Sequence, residues 1–293
     1  MTHPLATAPQ RAAFRTVQAD GVDVFYREAG PLDAPVILLL HGFPSSSHMY
    51  RDLIPLLATR YRVIAPDLPG FGFTVVPPQR QYVYRFDQLT QTMEAFVQAL
   101  GLTRYALYVF DYGAPVGLRL AARHPEQVTA LISQNGNAYL EGLSDAWAST
   151  RRYWAEPTAA NRDAQRDMLT PETTRWQYTH GADASKVAPE SYTLDAALMS
   201  RPENQEIQLD LCLDYASNLT LYPVFQQYFR DAQPPALVIW GRNDPFFLPQ
   251  GAQAFQRDLP DAVVQLLDTG HFALETHVDE IAAAIHVLLA RVN

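Results

Sequence analysis

The stretch LYVFDYGAPVG, residues 107–117, joins an apolar run, an acid and the start of a helix. The apolar run ends abruptly at Asp111, and Gly113 opens a helix-like segment two residues later. Open α/β sheets place ligands and reacting groups beyond the carboxyl ends of their strands. The stretch therefore predicts an α/β fold in which Asp111 is a nucleophile at a strand end. Capping the following helix is the structural alternative for this acid.

The segments before this stretch have the patterns of a sheet. Residues 14–30 alternate apolar and polar side chains around an Asp-Gly turn, which predicts an antiparallel hairpin at the sheet edge. Short, nearly continuous apolar runs at residues 35–42 and 60–70 end in Gly, as expected for parallel strands that are buried on both faces. Residues 85–102 have apolar side chains at near-helical spacing, and Gly101 stands where a helix would end.

The residues after the stretch change pattern twice. From residue 139 to residue 231, strand-like runs are absent and Trp, Tyr, Arg and Glu recur at helical spacings. Strand-like runs return in PPALVIWGRNDPFF (residues 234–247) and AVVQLLDTGHF (residues 262–272). We therefore predict one α/β domain with a mostly parallel central sheet flanked by helices, interrupted by a helical cap. The predicted division is a first core part at residues 1–138, the cap at residues 139–232 and a second core part at residues 233–293.

The composition excludes several classes of function. The net charge is −9 and no cluster of Lys or Arg offers a stripe for phosphates, so nucleic acid is not an expected partner. No GxxxxGK[ST], GxGxxG, CxxC or HExxH pattern occurs, and we expect neither a cofactor nor a metal. The longest apolar runs are too short to span a membrane, and the N-terminus lacks the apolar stretch of a signal peptide, which predicts a cytoplasmic protein. The single cysteine, Cys212, is predicted to be a buried thiol without a redox role.

Three further segments end at the sheet edge where Asp111 is predicted to lie. In LLLHGFP a strand ends before His41 and Phe43, at the position of a loop whose backbone amide can stabilise an oxyanion. Asp244 and His271 each follow a strand-like run in the second core part. Because the carboxyl ends of parallel strands meet at one edge of a sheet, we expect Asp111, Asp244 and His271 to lie close together.

The order of nucleophile, acid and histidine resembles that of the α/β-hydrolase superfamily. With Asp as nucleophile, the chain is most similar to the branch of epoxide hydrolases and haloalkane or haloacid dehalogenases. The resemblance covers nearly the whole chain, including PDLPGFGFT at residues 66–74. It implies the following roles: nucleophile for Asp111, orienting acid for Asp244, general base for His271, and oxyanion-hole amides for Phe43 and Tyr112. One departure is Val109, which stands where the elbow motif G-x-Nuc-x-G has its first Gly.

An acid at the elbow indicates a different reaction from that of a serine. A carboxylate is ionised at neutral pH and can displace a leaving group from a saturated carbon, which leaves an alkyl ester on Asp111. A water molecule activated by His271 would then attack this ester. No G-x-S-x-G pattern occurs, so a serine esterase is the less favoured enzyme. A catalytically inactive member that only binds ligands is the alternative outside enzymes.

Two tyrosines favour an epoxide as the substrate. Epoxide hydrolases of this fold protonate the leaving alkoxide with two cap tyrosines. The stretches RRYWAEP and LDYASN resemble those that carry them, which implies Tyr153 and Tyr215 as proton donors. We therefore predict an epoxide hydrolase that forms a diol, with packing against the core as the alternative role of the two tyrosines.

A haloalkane dehalogenase, which forms an alcohol and a halide, is the runner-up. Dehalogenases of the family bind halide with a Trp after the nucleophile and an Asn or Glu after the oxyanion His-Gly, where this chain has Tyr112 and Phe43. Haloacids are disfavoured because no Arg follows the nucleophile. Trp154 matches an indole halide donor of the haloacid branch, so Tyr153, Trp154 and Tyr215 form an alternative halide cradle.

The end of the sixth predicted strand offers a test of the orienting acid. Some dehalogenases place the triad acid there, but this chain has Gln134, Asn135 and Asn137, none of which is anionic. This strengthens Asp244, with Glu141 as a distant alternative. Asn135 is predicted to line the pocket or to cap a helix. Lined by Trp154, Phe43 and other aromatic residues, the pocket suits a small or medium-sized, mostly apolar electrophile.

Overall fold

The chain folds around one eight-stranded sheet in a computed structural model that describes residues 11–292. The strands lie in the order β1-β2-β4-β3-β5-β6-β7-β8. Their bounds are β1 (Ala13–Ala19), β2 (Val22–Ala29), β3 (Val36–Leu40), β4 (Arg62–Pro66), β5 (Tyr105–Phe110), β6 (Val128–Gln134), β7 (Ala236–Gly241) and β8 (Val263–Leu267). β2 pairs antiparallel with β1 and β4, and all other pairs are parallel. The predicted parallel sheet with an antiparallel hairpin at its edge is confirmed.

Eleven α-helices accompany the strands within the described residues. They are α1 (Leu53–Leu57), α2 (Phe86–Ala99), α3 (Gly113–Arg123), α4 (Ala148–Ala155), α5 (Ala159–Asp163), α6 (Pro171–Thr179), α7 (Pro189–Met199), α8 (Asn204–Asp214), α9 (Ala216–Ala232), α10 (Pro249–Asp258) and α11 (Leu274–Leu289). α2 ends two residues before Gly101, which has a left-handed φ of 64°, as the sequence predicts. No helix between residues 11 and 292 is long and apolar enough to cross a membrane.

The sheet has a hydrophobic core on each face. Side chains alternate across a strand, so Leu107 and Val109 of β5 join the core that includes α2, α3 and α10. Tyr108 and Phe110 point to the opposite face and join the core that includes α1 and α11. Because β5 is buried along its whole length, its carboxyl end is a fixed point from which Asp111 projects.

The chain between β6 and β7 is helical. α4 to α9 follow one another here with short 3₁₀ turns, and we call this segment the helical insertion. It lies where the sequence predicts the cap. The division into core and cap domains with the bounds given above remains a prediction.

Candidate active site

Asp111 occupies a tight turn between β5 and α3. Its φ of 47° lies in the left-handed region, which an L residue adopts only when the surrounding structure requires it. A Cβ atom at Gly113 would lie 2.1 Å from the carbonyl oxygen of Leu40, so the turn needs a glycine at this position. The backbone thus presents Asp111 at the strand end, in the geometry of a nucleophile elbow.

The departure of Val109 from the elbow motif has a local explanation. A Cβ atom at Gly117 in α3 would lie 2.5 Å from Cγ1 of Val109. A Cβ atom at Gly136 would lie 3.2 Å from Cγ2 of the same valine. Two glycines in the neighbouring elements therefore leave the space that the larger side chain requires.

Two backbone amides hold the Asp111 carboxylate. The amide of Phe43 donates to Oδ1 over 2.6 Å, and the amide of Tyr112 also hydrogen bonds to the carboxylate. Gly42 allows this approach, because a Cβ atom there would lie 2.3 Å from Oδ1 of Asp111. The structure brings the two amides predicted for an oxyanion hole to the same side chain.

His41 fixes the loop that carries Phe43. Its imidazole is fully buried, and Nε2 accepts a hydrogen bond of 2.9 Å from the amide of Leu68. Burial lowers the pKa of His41, which keeps the ring neutral and able to accept this bond. The sequence places His41 beside the oxyanion loop, but its bond to the loop after β4 depends on how the two loops pack.

Asp244 and His271 meet beside Asp111. Asp244 follows β7, His271 follows β8, and Nδ1 of His271 lies 2.7 Å from Oδ2 of Asp244. Nε2 of the same imidazole lies 3.9 Å from Oδ2 of Asp111. All three side chains are buried. The three residues lie close together, as expected. His271 is near enough to Asp111 to deprotonate a water molecule placed between its imidazole and an ester on Asp111.

Asn135 belongs to the acid rather than to the pocket wall. Its Nδ2 donates to Oδ2 of Asp244 over 2.7 Å, and its Oδ1 accepts from the amide of Gly241 over 3.1 Å. These bonds use both ends of the amide, which argues against the predicted roles in substrate binding or helix capping. A neutral donor beside Asp244 stabilises the carboxylate without competing for the proton of His271. This contact arises because β6 and β7 are neighbours, and sequence reasoning missed it.

Asp244 is also held by two backbone amides. Its Oδ1 accepts from Phe246 over 2.7 Å and from Phe247 over 3.1 Å. Glu141, the distant alternative acid, instead forms an exposed ion pair of 2.8 Å with Arg257. Of the two candidate acids, Asp244 is therefore the one that pairs with His271.

The buried setting shifts the acidity of the two central groups. Burial raises the pKa of Asp111 to about 6, while His271 and the amides of Phe43 and Tyr112 oppose this shift. Burial lowers the pKa of His271, but the charge and hydrogen bond of Asp244 and the charge of Asp111 outweigh it, so the pKa is raised overall. The charge on Asp111 thus influences how readily its neighbour acts as a base.

Tyr215 lies against the elbow. Its ring centroid is 5.5 Å from that of Tyr112 and 4.7 Å from that of Trp147, and the side chain is buried. Burial raises the pKa of the Tyr215 phenol well above its ordinary value, and the nearby Tyr222 and the charge of Asp111 add to this. The phenol therefore stays protonated near the carboxylate. Its hydroxyl hydrogen bonds to Tyr222, but an O–H group, unlike an indole N–H, can rotate toward another acceptor.

Tyr153 is not placed for the same task. Its hydroxyl accepts a hydrogen bond of 3.0 Å from Nη1 of Arg162. The same guanidinium pairs with Glu206 and Asp210 on α8, over 2.8 Å and 2.9 Å. This polar cluster ties the phenol oxygen to the helical insertion, and among the described residues Tyr153 has none of the aromatic contacts that place Tyr215 against Tyr112. The placement argues against the predicted role of Tyr153 as a proton donor or halide ligand.

Trp154 contributes its face rather than its N–H group. The indole stacks on Tyr215 with an interplanar angle of 6°, and Nε1 donates to the carbonyl of Cys212 over 2.7 Å. Because this donor is already used, the predicted halide cradle loses its indole. Trp154 instead forms part of an aromatic wall beside Tyr215. The thiol of Cys212 is buried, as the sequence predicts.

Within residues 11–292, no group of three or more His, Cys, Asp or Glu side chains is arranged to hold a metal ion.

Comparison with known proteins agrees with the α/β fold. A family described as having the alpha/beta hydrolase fold matches residues 35–278. A protein of Saccharomyces cerevisiae described as an uncharacterized hydrolase is 46% identical over 286 residues, which covers 95% of this chain and 98% of that protein. A haloalkane dehalogenase of Bradyrhizobium diazoefficiens is 39% identical over 123 residues, or 42% of this chain and 39% of the relative. The crystal structure of DBJA has a TM-score of 0.81 at 24% identity, over 96% of this chain and 97% of that one, which shows a shared fold.

Proposed function

This chain belongs to the alpha/beta hydrolase fold family, and from that premise we propose that it hydrolyses haloalkanes through an alkyl ester on Asp111. The observation that carries the proposal is the acid at the elbow, held by the Phe43 amide at 2.6 Å with His271 3.9 Å away. A carboxylate in this place attacks carbon without first losing a proton to a base. The similarity to a haloalkane dehalogenase supports the choice of a halide as the leaving group.

In the first proposed step, Oδ2 of Asp111 attacks the carbon that bears the halogen. This oxygen faces His271, whereas Oδ1 accepts from the Phe43 amide. A bond forms between Oδ2 and carbon, and the carbon–halogen bond breaks with its electron pair leaving as halide. The product is a neutral ester, so the charge of Asp111 disappears and no longer raises the pKa of His271. Esterification thereby favours the neutral imidazole that the next step requires.

In the second proposed step, Nε2 of His271 takes a proton from water as the water oxygen adds to the ester carbon of Asp111. The amides of Phe43 and Tyr112 stabilise the negative oxygen that forms. The bond between the ester carbon and Oδ2 then breaks, and Oδ2 leaves with the alkyl group and takes the proton from His271 to give the alcohol. The acid that remains on Asp111 releases its last proton to solvent. Asp244 orients the imidazole and stabilises its cation. Asp111 is regenerated as a carboxylate.

Tyrosine hydroxyls are the proposed donors to the halide. Tyr112 and Tyr215 lie together at the elbow, and burial raises the pKa of both phenols well above the ordinary value. Such phenols keep their protons and donate hydrogen bonds, which is all that a departing halide needs. Apolar and aromatic surfaces from Trp147 and Trp154 border this corner and suit an apolar alkyl group.

Epoxide hydrolysis is the second candidate, supported by one observation. An alkoxide needs a proton, and the protonated phenol of Tyr215 lies near Asp111. The sequence favours epoxides because of two tyrosines, but the hydroxyl of Tyr153 is bound to Arg162. With one phenol in place of the expected pair, the support for epoxide opening is weaker than the sequence alone indicates.

Tyr215→Phe separates the two leaving groups. If the substrate is an epoxide, the variant is expected to lose on the order of 10²-fold or more in diol formation, because its proton donor is gone. If the substrate is a haloalkane, halide release is expected to fall only about tenfold, since one hydrogen bond to the halide is lost. The measurement is a paired assay of diol from styrene oxide and bromide from 1-bromobutane, with Tyr153→Phe as the matched control. Diol without bromide from the unaltered protein would overturn the haloalkane proposal.

The rate of ester formation is expected to depend on pH through Asp111. Burial raises the pKa of this carboxyl to about 6, and only the ionised form attacks carbon. The rate should therefore be level above this value and fall about tenfold for each pH unit below it. Single-turnover bromide release between about pH 5 and about pH 8 measures this profile. A rate that stays constant down to about pH 5 would contradict the raised pKa.

A further inference from the structure

The end of α6 contacts the loops that carry His271 and Asp244. We call residues 176–181, at the end of α6 and just after it, the α6 brace. Within it, the ring of Tyr178 lies on that of Phe272, with centroids 3.8 Å apart and planes within 8°. Phe272 directly follows His271, and its ring is 5.1 Å from the imidazole. A residue of the helical insertion thus packs against the neighbour of the proposed base.

The backbone of the α6 brace touches the residues before both catalytic candidates. A Cβ atom at Gly270 would lie 1.9 Å from the carbonyl oxygen of His180, so the two backbones are in close contact just before His271. The carbonyl of Gly181 accepts a hydrogen bond of 2.9 Å from Nδ2 of Asn243, just before Asp244. His180 and Gly181, two adjacent residues of the brace, therefore contact the loops that carry His271 and Asp244.

Trp176 adds a contact at the exposed side of the brace. Its ring lies edge-on to Phe246, with centroids 5.9 Å apart. The amide of Phe246 donates to Asp244, and its ring is 5.4 Å from His271. Trp176 itself is 42% exposed, so it can be changed with little effect on the core.

The α6 brace is anchored to the rest of the protein through α7 and α11. The hydroxyl of Tyr178 donates to Oδ2 of the buried Asp195 on α7. Ser191, one turn earlier on α7, donates to Glu275 over 3.1 Å. Arg51 pairs with both carboxylate oxygens of Glu275, over 3.0 Å and 2.8 Å. Glu275 lies in the first turn of α11, four residues after His271, so the brace and the His271 loop share one buried support.

Asp111 is held by different parts of the chain. Its contacts are the amides of Phe43 and Tyr112, which belong to the loops after β3 and β5. The brace contacts to Phe272, Gly270, Asn243 and Phe246 lie on the loops after β7 and β8. Phe272 also contacts Phe110, which precedes Asp111, with centroids 5.2 Å apart, but Phe110 is fixed in the buried strand β5. A change in the brace should therefore move the base and its acid more than the nucleophile.

We propose that the α6 brace positions His271 and Asp244, and thereby sets the rate at which the alkyl ester on Asp111 is hydrolysed but not the rate at which it forms. Tyr178 is its principal positioning residue. The reference to an alkyl ester rests on the function proposed above. A displacement of about 1 Å in a catalytic group can cost on the order of 10²-fold in rate. The helical insertion would then control the second step of the reaction.

The first test separates the two steps in the full-length protein. Tyr178→Leu removes the stacked ring, and we expect hydrolysis of the ester to slow by roughly 10²-fold with its formation changed by less than about twofold. Rapid quenching after mixing with 1-bromobutane, followed by intact mass, gives both rates. The ester should accumulate in this variant. Tyr178→Phe keeps the ring and should restore most of the hydrolysis rate, which a loss of general packing would not predict.

Tyr192→Leu is the matched control. Tyr192 lies on α7 and packs edge-on against Tyr178, with centroids 6.2 Å apart. It has no aromatic contact with Phe272 among the described residues, so this variant loosens the same helices without removing the stack. Equal slowing of ester hydrolysis in Tyr178→Leu and Tyr192→Leu, or equal slowing of both steps in Tyr178→Leu, would overturn the proposal.

A second test needs no substrate. The Nδ1 proton of His271, in its bond to Asp244, should give a low-field ¹H NMR signal in the unaltered protein. We expect this signal to weaken or shift in Tyr178→Leu and in Trp176→Ala, and to persist in Tyr192→Leu. An unchanged signal in both brace variants would overturn the proposal, even if 1-bromobutane is not a substrate. Absence of any ester on both the unaltered protein and His271→Gln would instead count against the proposed function and leave the NMR result to decide on the brace. Trp176→Ala serves if Tyr178→Leu fails to fold.

Discussion

Asp111→Ala is expected to lower bromide release from 1-bromobutane by on the order of 10⁴-fold or more, because no other group can form the ester. The nucleophile is presented by a left-handed turn, and its carboxylate is held by backbone amides. Removal of the side chain leaves these amides and His271 in place but gives them no ester to act on. The measurement is steady-state bromide release by the purified variant.

The control for Asp111→Ala is a check that the variant still folds. Far-UV circular dichroism and thermal unfolding should match the unaltered protein, since the carboxyl's contacts to other loops are confined, among the described residues, to the Phe43 amide and the imidazole of His271. Substantial bromide release by a folded Asp111→Ala protein would contradict the account and would direct attention to the serines at positions 45, 46 and 47.

His271→Gln is expected to release close to one equivalent of bromide and then stop. Ester formation needs only Asp111, whereas hydrolysis needs a base to deprotonate water. The glutamine cannot take that proton, so steady-state turnover should fall by on the order of 10⁴-fold or more. Rapid quenching at a series of times, followed by quantification of free bromide, measures both phases.

Asp111→Ala provides the control for the burst. Its trace should show neither phase, because the ester cannot form. Continued steady release by His271→Gln at a rate within about tenfold of the unaltered protein would mean that another group activates water. His271 would then not be the general base.

The central part of the site follows from the strand pattern. Asp111 and Asp244 each follow a buried strand, His271 follows the partly exposed edge strand β8, and parallel strands bring such positions to one sheet edge. Phe43 follows the same rule after β3. The sequence therefore predicts which residues meet, since their positions depend on sheet topology and not on side-chain rotamers.

The roles of Asn135 and Tyr153 depend on finer geometry. Asn135 contacts Asp244 only because its own φ is 47° and its amide spans the gap to β7. Tyr153 is a tyrosine at a matching position, but the packing of α5 and α8 brings Arg162 to its hydroxyl. Helices with polar and aromatic residues on several faces do not reveal which side chains turn inward. The helical insertion is therefore where prediction from sequence is weakest.

The α6 brace had no signal in the sequence. Its contacts join residues 176–181 to loops that lie more than sixty positions later, and they involve backbone atoms of His180 and Gly181 as much as side chains. No sequence motif corresponds to these contacts. Only the packing of the helical insertion against the sheet reveals that it touches the neighbours of both His271 and Asp244.

The most direct test of the covalent mechanism is the intact mass of His271→Gln after incubation with 1-bromobutane, followed by peptide mapping. The account predicts a gain of one butyl group, located on Asp111 and absent from the double variant that also carries Asp111→Ala. An unmodified protein that nevertheless releases bromide, or a butyl group on another residue, would contradict the proposal that Asp111 is the nucleophile.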